Sequence, residues 1–208
     1  MDIEIKISNE PIDYKESLEF MESRVNDIIL GKKPEMLWLL EHPPIYTAGT
    51  SAKEGGLIDN GKFPVFKTGR GGEYTYHGPG QRVVYVMLNL KQHYSQPDLK
   101  QYVHDLEEWI IRSLKRVGVN GERKNGRIGI WVTYNNKEKK VAALGIRVRK
   151  WVAYHGIAIN INPDLKHFKG IVPCGIREYG VTSLEELGIE AENEEVNTIL
   201  IEEFKKIF

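Results

Sequence analysis

Cysteine is almost absent from this chain: Cys174 stands alone among 208 residues. One thiol can form neither an internal disulfide nor a multi-cysteine metal site, so a reducing compartment is the simpler expectation. An excess of either charge is also missing, since 29 Lys plus Arg balance 29 Asp plus Glu. Proteins that hold nucleic acid through overall charge carry an excess of basic residues, so no nucleic-acid partner is expected. No run approaches the roughly 18–20 apolar residues of a membrane span, and no membrane partner is expected. The six histidines include no HExxH and no His/Cys cluster at zinc spacing, so no metal is expected. The first six residues alternate polar and apolar like a strand, with neither an apolar signal core nor Arg-rich transit character. These absences describe a cytoplasmic protein.

What is present is an ordinary globular balance, 41% hydrophobic and 28% charged. That suits one domain over residues 1–208 with a sizeable core. Asp13 and Glu16 have capping-box spacing, and Tyr14, Leu18, Met21, Val25 and Ile28 recur at helical spacing before a stop at Gly31. A second helix is expected from Asp98 to Val117, its stripe formed by Leu99, Val103, Leu106, Ile110, Leu114 and Val117. Met36–Leu40, Val65–Lys67, Val83–Leu88, Ile128–Tyr134, Lys140–Arg149 and Trp151–Ile161 read as strands, with Asn135-Asn136 as a hairpin turn. Ile146 and Val148 alternate with Arg147 and Arg149, giving that strand a buried and a wet face. Thr182 and Glu185 have capping-box spacing over a short helix, and Val196, Ile199, Leu200 and Phe204 mark a last one. Strands and helices mix without βαβ regularity. The expected class is α+β, a mixed or antiparallel sheet flanked by helices.

Three segments can carry chemistry. A lone cysteine usually packs as a small hydrophobe, but Pro173 and Gly175 put Cys174 in a turn, where catalytic groups concentrate. Its thiolate would need a base or a cation nearby. Thr68–Gln81 holds five glycines in fourteen residues. It fits neither Walker A nor GxGxxG spacing, and so long and Gly-dense a loop within a domain is commonly a binding element. Lys140–Val148 and Val152–Asn160 set Ala142, Ala143, Gly145, Gly156 and Ala158 among aliphatic residues, which either leaves room for an apolar ligand or lets strands pack closely. Lys140, at a strand start, would ordinarily be solvated. His77 and His155 each precede a glycine and either could serve a cysteine as base, so a thiol hydrolase is open on these residues alone.

As an ordered set, six segments resemble the lipoyl(octanoyl) transferase family. They are His42-Pro43-Pro44-Ile45-Tyr46-Thr47-Ala48-Gly49, Arg70-Gly71-Gly72-x-x-Thr75-Tyr76-His77-Gly78-Pro79-Gly80-Gln81, Lys140–Arg147, His155–Asn160, Pro173-Cys174-Gly175-Ile176 and Gly180–Leu184. The resemblance implies the fold shared by biotin and lipoate protein ligases, a class II synthetase-like architecture. It implies transfer of an octanoyl or lipoyl group from acyl carrier protein to a specific lysine of lipoyl domains, with no cofactor. The acceptors it implies are the lipoyl domains of 2-oxoacid dehydrogenase complexes and the glycine cleavage H protein. By position, Cys174 matches the acyl-thioester cysteine and Lys140 the lysine paired with it. Arg70, Gly71, Gly72, Glu73, Tyr74, Thr75, Tyr76, His77, Ala143, Leu144, Gly145, Gly156, Ile157 and Ala158 match the acyl-substrate contacts.

Departures from the family pattern are Arg82, in place of a commoner aliphatic residue, and Val86-Met87, where many members have a proline. On this reading His77, Thr75 and the Gly71-Gly72 amides line the acyl carbonyl, with backbone N–H groups as oxyanion donors. Arg147, Arg149 and Lys150 form a basic strip that would steer an acidic carrier. An ATP-dependent ligase of the same fold and a non-catalytic carrier-binding module are the competing functions. The lack of a Gly-x-Gly-Arg-x-Gly-type loop and the presence of Pro-Cys-Gly favour the transferase over the ligase.

Overall fold

The computed structural model describes residues 3–59, 61–172 and 179–208; Cys174 and its Pro173 and Gly175 neighbours lie outside the described residues. The chain runs β1 (Ile3–Ile7), α1 (Tyr14–Ile29), β2 (Glu35–Leu40), β3 (Ile45–Ala48), β4 (Val65–Lys67), β5 (Tyr74–His77), β6 (Gln81–Asn89), α2 (Leu90–His93), α3 (Leu99–Arg116), β7 (Glu122–Lys124), β8 (Arg127–Tyr134), β9 (Lys137–Arg149), β10 (Val152–Asn160), a 3-10 turn (Leu165–Gly170), β11 (Gly180–Val181) and α4 (Asn193–Phe204). The main sheet has the order β1-β2-β6-β10-β9-β8-β7, with β11 on β9. β1 on β2 and β11 on β9 are parallel, and the other pairings in that sheet are antiparallel. The expected α+β class with a mixed sheet is what the chain adopts.

Side-chain alternation on the central strands builds the layers. Met36, Trp38 and Leu40 of β2, with Val83, Tyr85 and Met87 of β6, pack under Met21, Val25 and Ile28 of α1. The intervening Leu37, Leu39, Val84, Val86 and Leu88 face Leu106, Trp109, Ile110 and Leu114 of α3 and Leu200 and Phe204 of α4. Both faces of these strands are covered, which explains their continuous apolar runs. The Asp13 carboxylate accepts the Lys15 and Glu16 amides to start α1, and Gly31 takes φ +66° just past its end. A second sheet, β4-β3-β5, carries its own cluster of Tyr46, Tyr76, Phe168 and Ile171.

Asn135 and Asn136 both have positive φ (50° and 58°), as a two-residue I′ hairpin loop requires. Lys150 and Trp151 do the same between β9 and β10 (50° and 68°), without a glycine or asparagine to signal it. The capping box sits one residue later than expected. Ser183 Oγ accepts the Glu186 amide at 3.1 Å, because the Glu185 amide that Thr182 would have to accept is bonded to the Ile161 carbonyl at 3.0 Å. It heads a single turn over 184–188 rather than a helix. Leu99 is 42% exposed, since the first residue of α3 projects beyond the packed stripe.

Candidate active site

A cavity of about 350 Å³ lies on the α1 side of the main sheet. Its floor follows from register. Ala143 pairs with Ala158 and Gly145 with Gly156 across β9 and β10, while Val83 and Tyr85 of β6 stand opposite Ala158 and Gly156. Small residues thus meet side by side across β9 and β10, with Val83 and Tyr85 of β6 flanking them. Arg70, Gly71, Gly72, Glu73, Tyr74, Thr75 and His77 close it from the other side. Lys140 also lines it, five residues from Gly145 along β9, or roughly 16 Å at strand rise.

The small residues do two different jobs. A Cβ at Gly156 would overlap the Val84 carbonyl oxygen, and one at Gly145 would lie 2.9 Å from Arg70 Cδ. The glycines therefore permit close packing, and the ligand space belongs to Ala143 and Ala158. Ala142, 1% exposed, packs in the core on the other face.

Arg70 organises the covering loop. Its Nη2 donates to the Thr47 carbonyl (3.0 Å), Thr47 Oγ1 (2.7 Å) and the Glu73 carbonyl (3.0 Å), and Nη1 donates to the Gly71 carbonyl (2.9 Å). The Gly71 amide bonds the Ile146 carbonyl at 2.8 Å and ties the loop to β9. That bond corrects one expectation: the Gly71 N–H is committed to β9 and is not a donor for an oxyanion.

Lys140 is 7% exposed, against the solvated position that its type and place in the chain suggest. Its Nζ donates to the Ile128 carbonyl at 2.9 Å and stands 4.8 Å from the Trp131 ring centroid. Gly129 makes room for it, since a Cβ there would be 3.0 Å from Lys140 Cε. A buried amine beside an apolar cavity is expensive to hold without a purpose.

Three histidines near the cavity are neutral. Burial, reinforced by His42 and Arg70, pushes His77 down to about 3. Burial likewise lowers His155 to about 3 and His42 to about 4. His42 donates from Nδ1 to the Ile12 carbonyl (2.6 Å) and accepts the Tyr85 hydroxyl at Nε2 (2.6 Å). His77 Nδ1 lies 2.6 Å from Gln81 Oε1. A ring this reluctant to take a proton is a poor base, which weighs against a hydrolase built on His77 or His155.

A family model decides the class: the lipoyl protein ligase A/B catalytic domain matches residues 13–205. The chain belongs to this family. A protein named octanoyltransferase in Paramagnetospirillum magneticum is 55% identical over 99% of this chain and 97% of its own length. Among solved structures, lipoate-protein ligase A bound with ATP is similar over 100% of this chain and 85% of that one, at TM-score 0.77 and 17% identity. Biotin protein ligase from Aquifex aeolicus in complex with biotin and ATP is similar over 98% and 69%, at TM-score 0.58 and 16% identity. At such identities the structural likeness shows a common fold, the one expected from the sequence.

Within this member of the family, the cavity gathers Lys140 and every carried-over contact residue except Tyr76. Tyr76 points the other way. Its hydroxyl meets His167 Nδ1 at 2.9 Å and its ring packs on Tyr46 and Phe168. Neighbours on a strand face opposite sides, and the Tyr76 side chain turns to the second cluster while Thr75 and His77 turn to the cavity. Tyr14, Val83, Tyr85, Ile128 and Trp131 also line it and escaped sequence reading. For Val83 and Tyr85 the signal was alternation along β6; Tyr14 reads only as a helix residue. The basic strip is divided: Arg149 donates to Asn26 Oδ1 at 2.6 Å and is held to α1, whereas Arg147 and Lys150 are exposed. Among the described residues no group of three His, Cys, Asp or Glu is placed to hold a metal.

Proposed function

We infer that this protein is an octanoyltransferase of protein lipoylation, moving an octanoyl or lipoyl group from acyl carrier protein to a specific lysine of a lipoyl domain through a thioester on Cys174. The observation that carries the reading is a buried amine, Lys140 Nζ, facing an apolar cavity with a small-residue floor. Eight carbons joined by bonds of about 1.5 Å extend roughly 10 Å, which fits between Lys140 and the Gly145–Gly156 pair. The reading requires the Cys174 thiol to reach the Lys140 amine, and Lys140 is paired in β9 with Val181 of β11.

In the first step Cys174 Sγ attacks the carrier thioester carbonyl. A C–S bond to the enzyme forms, the C–S bond to the carrier breaks, and the carrier leaves as a thiol with the proton released by Cys174. Lys140 serves the Cys174 thiol either as a base or as a neighbouring cation. In the second step the target lysine nitrogen attacks, the C–N bond forms, Sγ departs, and the amine proton returns to the Cys174–Lys140 pair. Thioester exchange is nearly balanced and amide formation from a thioester runs downhill, so neither ATP nor another cofactor is required. The acceptors would be lipoyl domains of 2-oxoacid dehydrogenase complexes and the glycine cleavage H protein. Exposed Arg147 and Lys150 would steer the acidic carrier. Among the described residues no helix is long and apolar enough to cross a membrane.

Intact-mass spectrometry after mixing with octanoyl carrier protein tests the reading. A hydroxylamine-labile gain of one octanoyl group, lost in Cys174→Ser, is the expected result. No adduct, with efficient turnover of free octanoate plus ATP, would replace the transferase by a ligase.

A further inference from the structure

Gln81 and Asn160 belong to two of the family segments, yet the chemistry above gives neither a task. Both are buried, 1% and 4% exposed. They form a relay of four hydrogen bonds that joins Lys140 to His77. The Thr182 amide donates to the Lys140 carbonyl at 2.9 Å, and Asn160 Nδ2 donates to the Thr182 carbonyl at 2.9 Å. Gln81 Nε2 donates to Asn160 Oδ1 at 2.9 Å and to the Tyr76 carbonyl at 3.2 Å. The last link is His77 Nδ1 with Gln81 Oε1 at 2.6 Å.

The direction of every bond follows from its end. The Lys140, Thr182 and Tyr76 carbonyls can only accept. The Asn160 amide must therefore donate to Thr182 and present its oxygen to Gln81, and the Gln81 amide must donate there and at Tyr76, leaving its oxygen for His77. His77 consequently carries its hydrogen on Nδ1. The ring lines the cavity, and with Nδ1 turned to Gln81 the edge left for a ligand bears Nε2, a lone pair without a proton. Such an atom cannot donate to a carbonyl or an oxyanion. It can only receive an N–H or O–H.

We propose that Gln81 and Asn160 are positioning residues that lock the His77 tautomer, and that His77 Nε2 accepts a hydrogen bond from the attacking lysine amine and aims its lone pair at the acyl carbon. No proton is transferred to the ring. The amine keeps its hydrogens until the C–N bond has formed, and the proton then released goes to the Cys174–Lys140 pair. The backbone end of the relay fixes the distance between the residue that serves the thiol and the residue that orients the amine. The proposal rests on the acyl-transfer reading and extends it to the second step.

Two measurements test it. In protein labelled with ¹⁵N-histidine, the His77 ring should show a protonated Nδ1 and an unprotonated Nε2; a protonated Nε2 overturns the proposal outright. In Gln81→Met, a near-isosteric change, octanoyl-enzyme should form from the carrier thioester at close to the normal rate. Its aminolysis by the lipoyl domain should fall by about 10²-fold, the usual scale for a misaimed reactant. Equal slowing of both steps, slowing of the first alone, or no change in either overturns it. Should the variant melt too low to assay, the wild-type spectrum decides. Failure of the wild-type protein to form any octanoyl-enzyme would sink the acyl-transfer reading instead and leave the tautomer question to the spectrum.

Discussion

The two faces of the main sheet are made by the same strands and have opposite characters. Toward α3 and α4, β6 presents Val84, Val86 and Leu88 to Trp109, Leu106 and Phe204, all at most 1% exposed. Toward the Arg70 loop, β6, β9 and β10 present Val83, Ala143 and Ala158 to open space. The first face is where folding free energy is gained by burying large side chains. The second forgoes part of that gain to leave a site. On the proposed reading, stability and acyl binding are therefore separable by mutation, face by face.

Lys140→Met should break the comparison most sharply. It leaves the packed face untouched and should cut octanoyl transfer by about 10²–10⁴-fold, read in a lipoyl-domain acylation assay. Trp109→Ala should do the reverse. It empties a fully buried site and removes the bond that Trp109 Nε1 makes to the Leu200 carbonyl at 2.8 Å. About 3–5 kcal/mol of stability should be lost in urea melts, with turnover per folded molecule preserved. Ala158→Leu adds bulk to the cavity floor. It should raise KM for octanoyl carrier about tenfold, equivalent to about 1.4 kcal/mol, and leave the melting midpoint nearly unchanged.

Acid sharpens the comparison more gently. His42, His77 and His155 are held below their ordinary value, to about 4, 3 and 3. Between those values and about 6.5 the unfolded chain binds protons that the folded one refuses. Their contribution is therefore present above pH 6.5 and is lost as pH falls toward 4. The slope should be on the order of 1.4 kcal/mol per pH unit for each ring, followed by denaturant melts at stepped pH. Replacing His42 by Gln should flatten that slope by one ring's share.

The packed face was the more legible of the two. Helical spacing located α3 on that face, as it located α1 on the other, because their stripes are long and regular, and Asn135-Asn136 marked its hairpin because those residues tolerate positive φ. The second sheet was harder. β4 was read as Val65–Lys67, but β3 and β5 are four residues each and held by partners distant in the chain, so local periodicity carries almost no signal for them. The break at Lys150 was read, but the two-residue Lys150-Trp151 turn was not, because its strands, rather than its residue types, impose the backbone. At the site, motif matches picked segments that line the cavity but could not say which side chains turn inward, hence Tyr76. Nor could they show that the Gly71 amide is already committed to β9. Burial of Lys140 was beyond reach of sequence, because it depends on Gly129 and Trp131 on the neighbouring strand.

The β8–β9–β10 meander, joined by two two-residue loops, also bears on how the molecule assembles. Its pairings are close in sequence, whereas β6 must find β2 and β10 across some tens of residues. Closing short loops costs less entropy, and local pairings form sooner. The meander is thus the natural early structure, and the cavity's β9–β10 half exists before β6 and the Arg70 loop arrive to complete it. Weakening the Asn135-Asn136 loop should then slow folding, while weakening the β6–β10 seam should chiefly hasten unfolding.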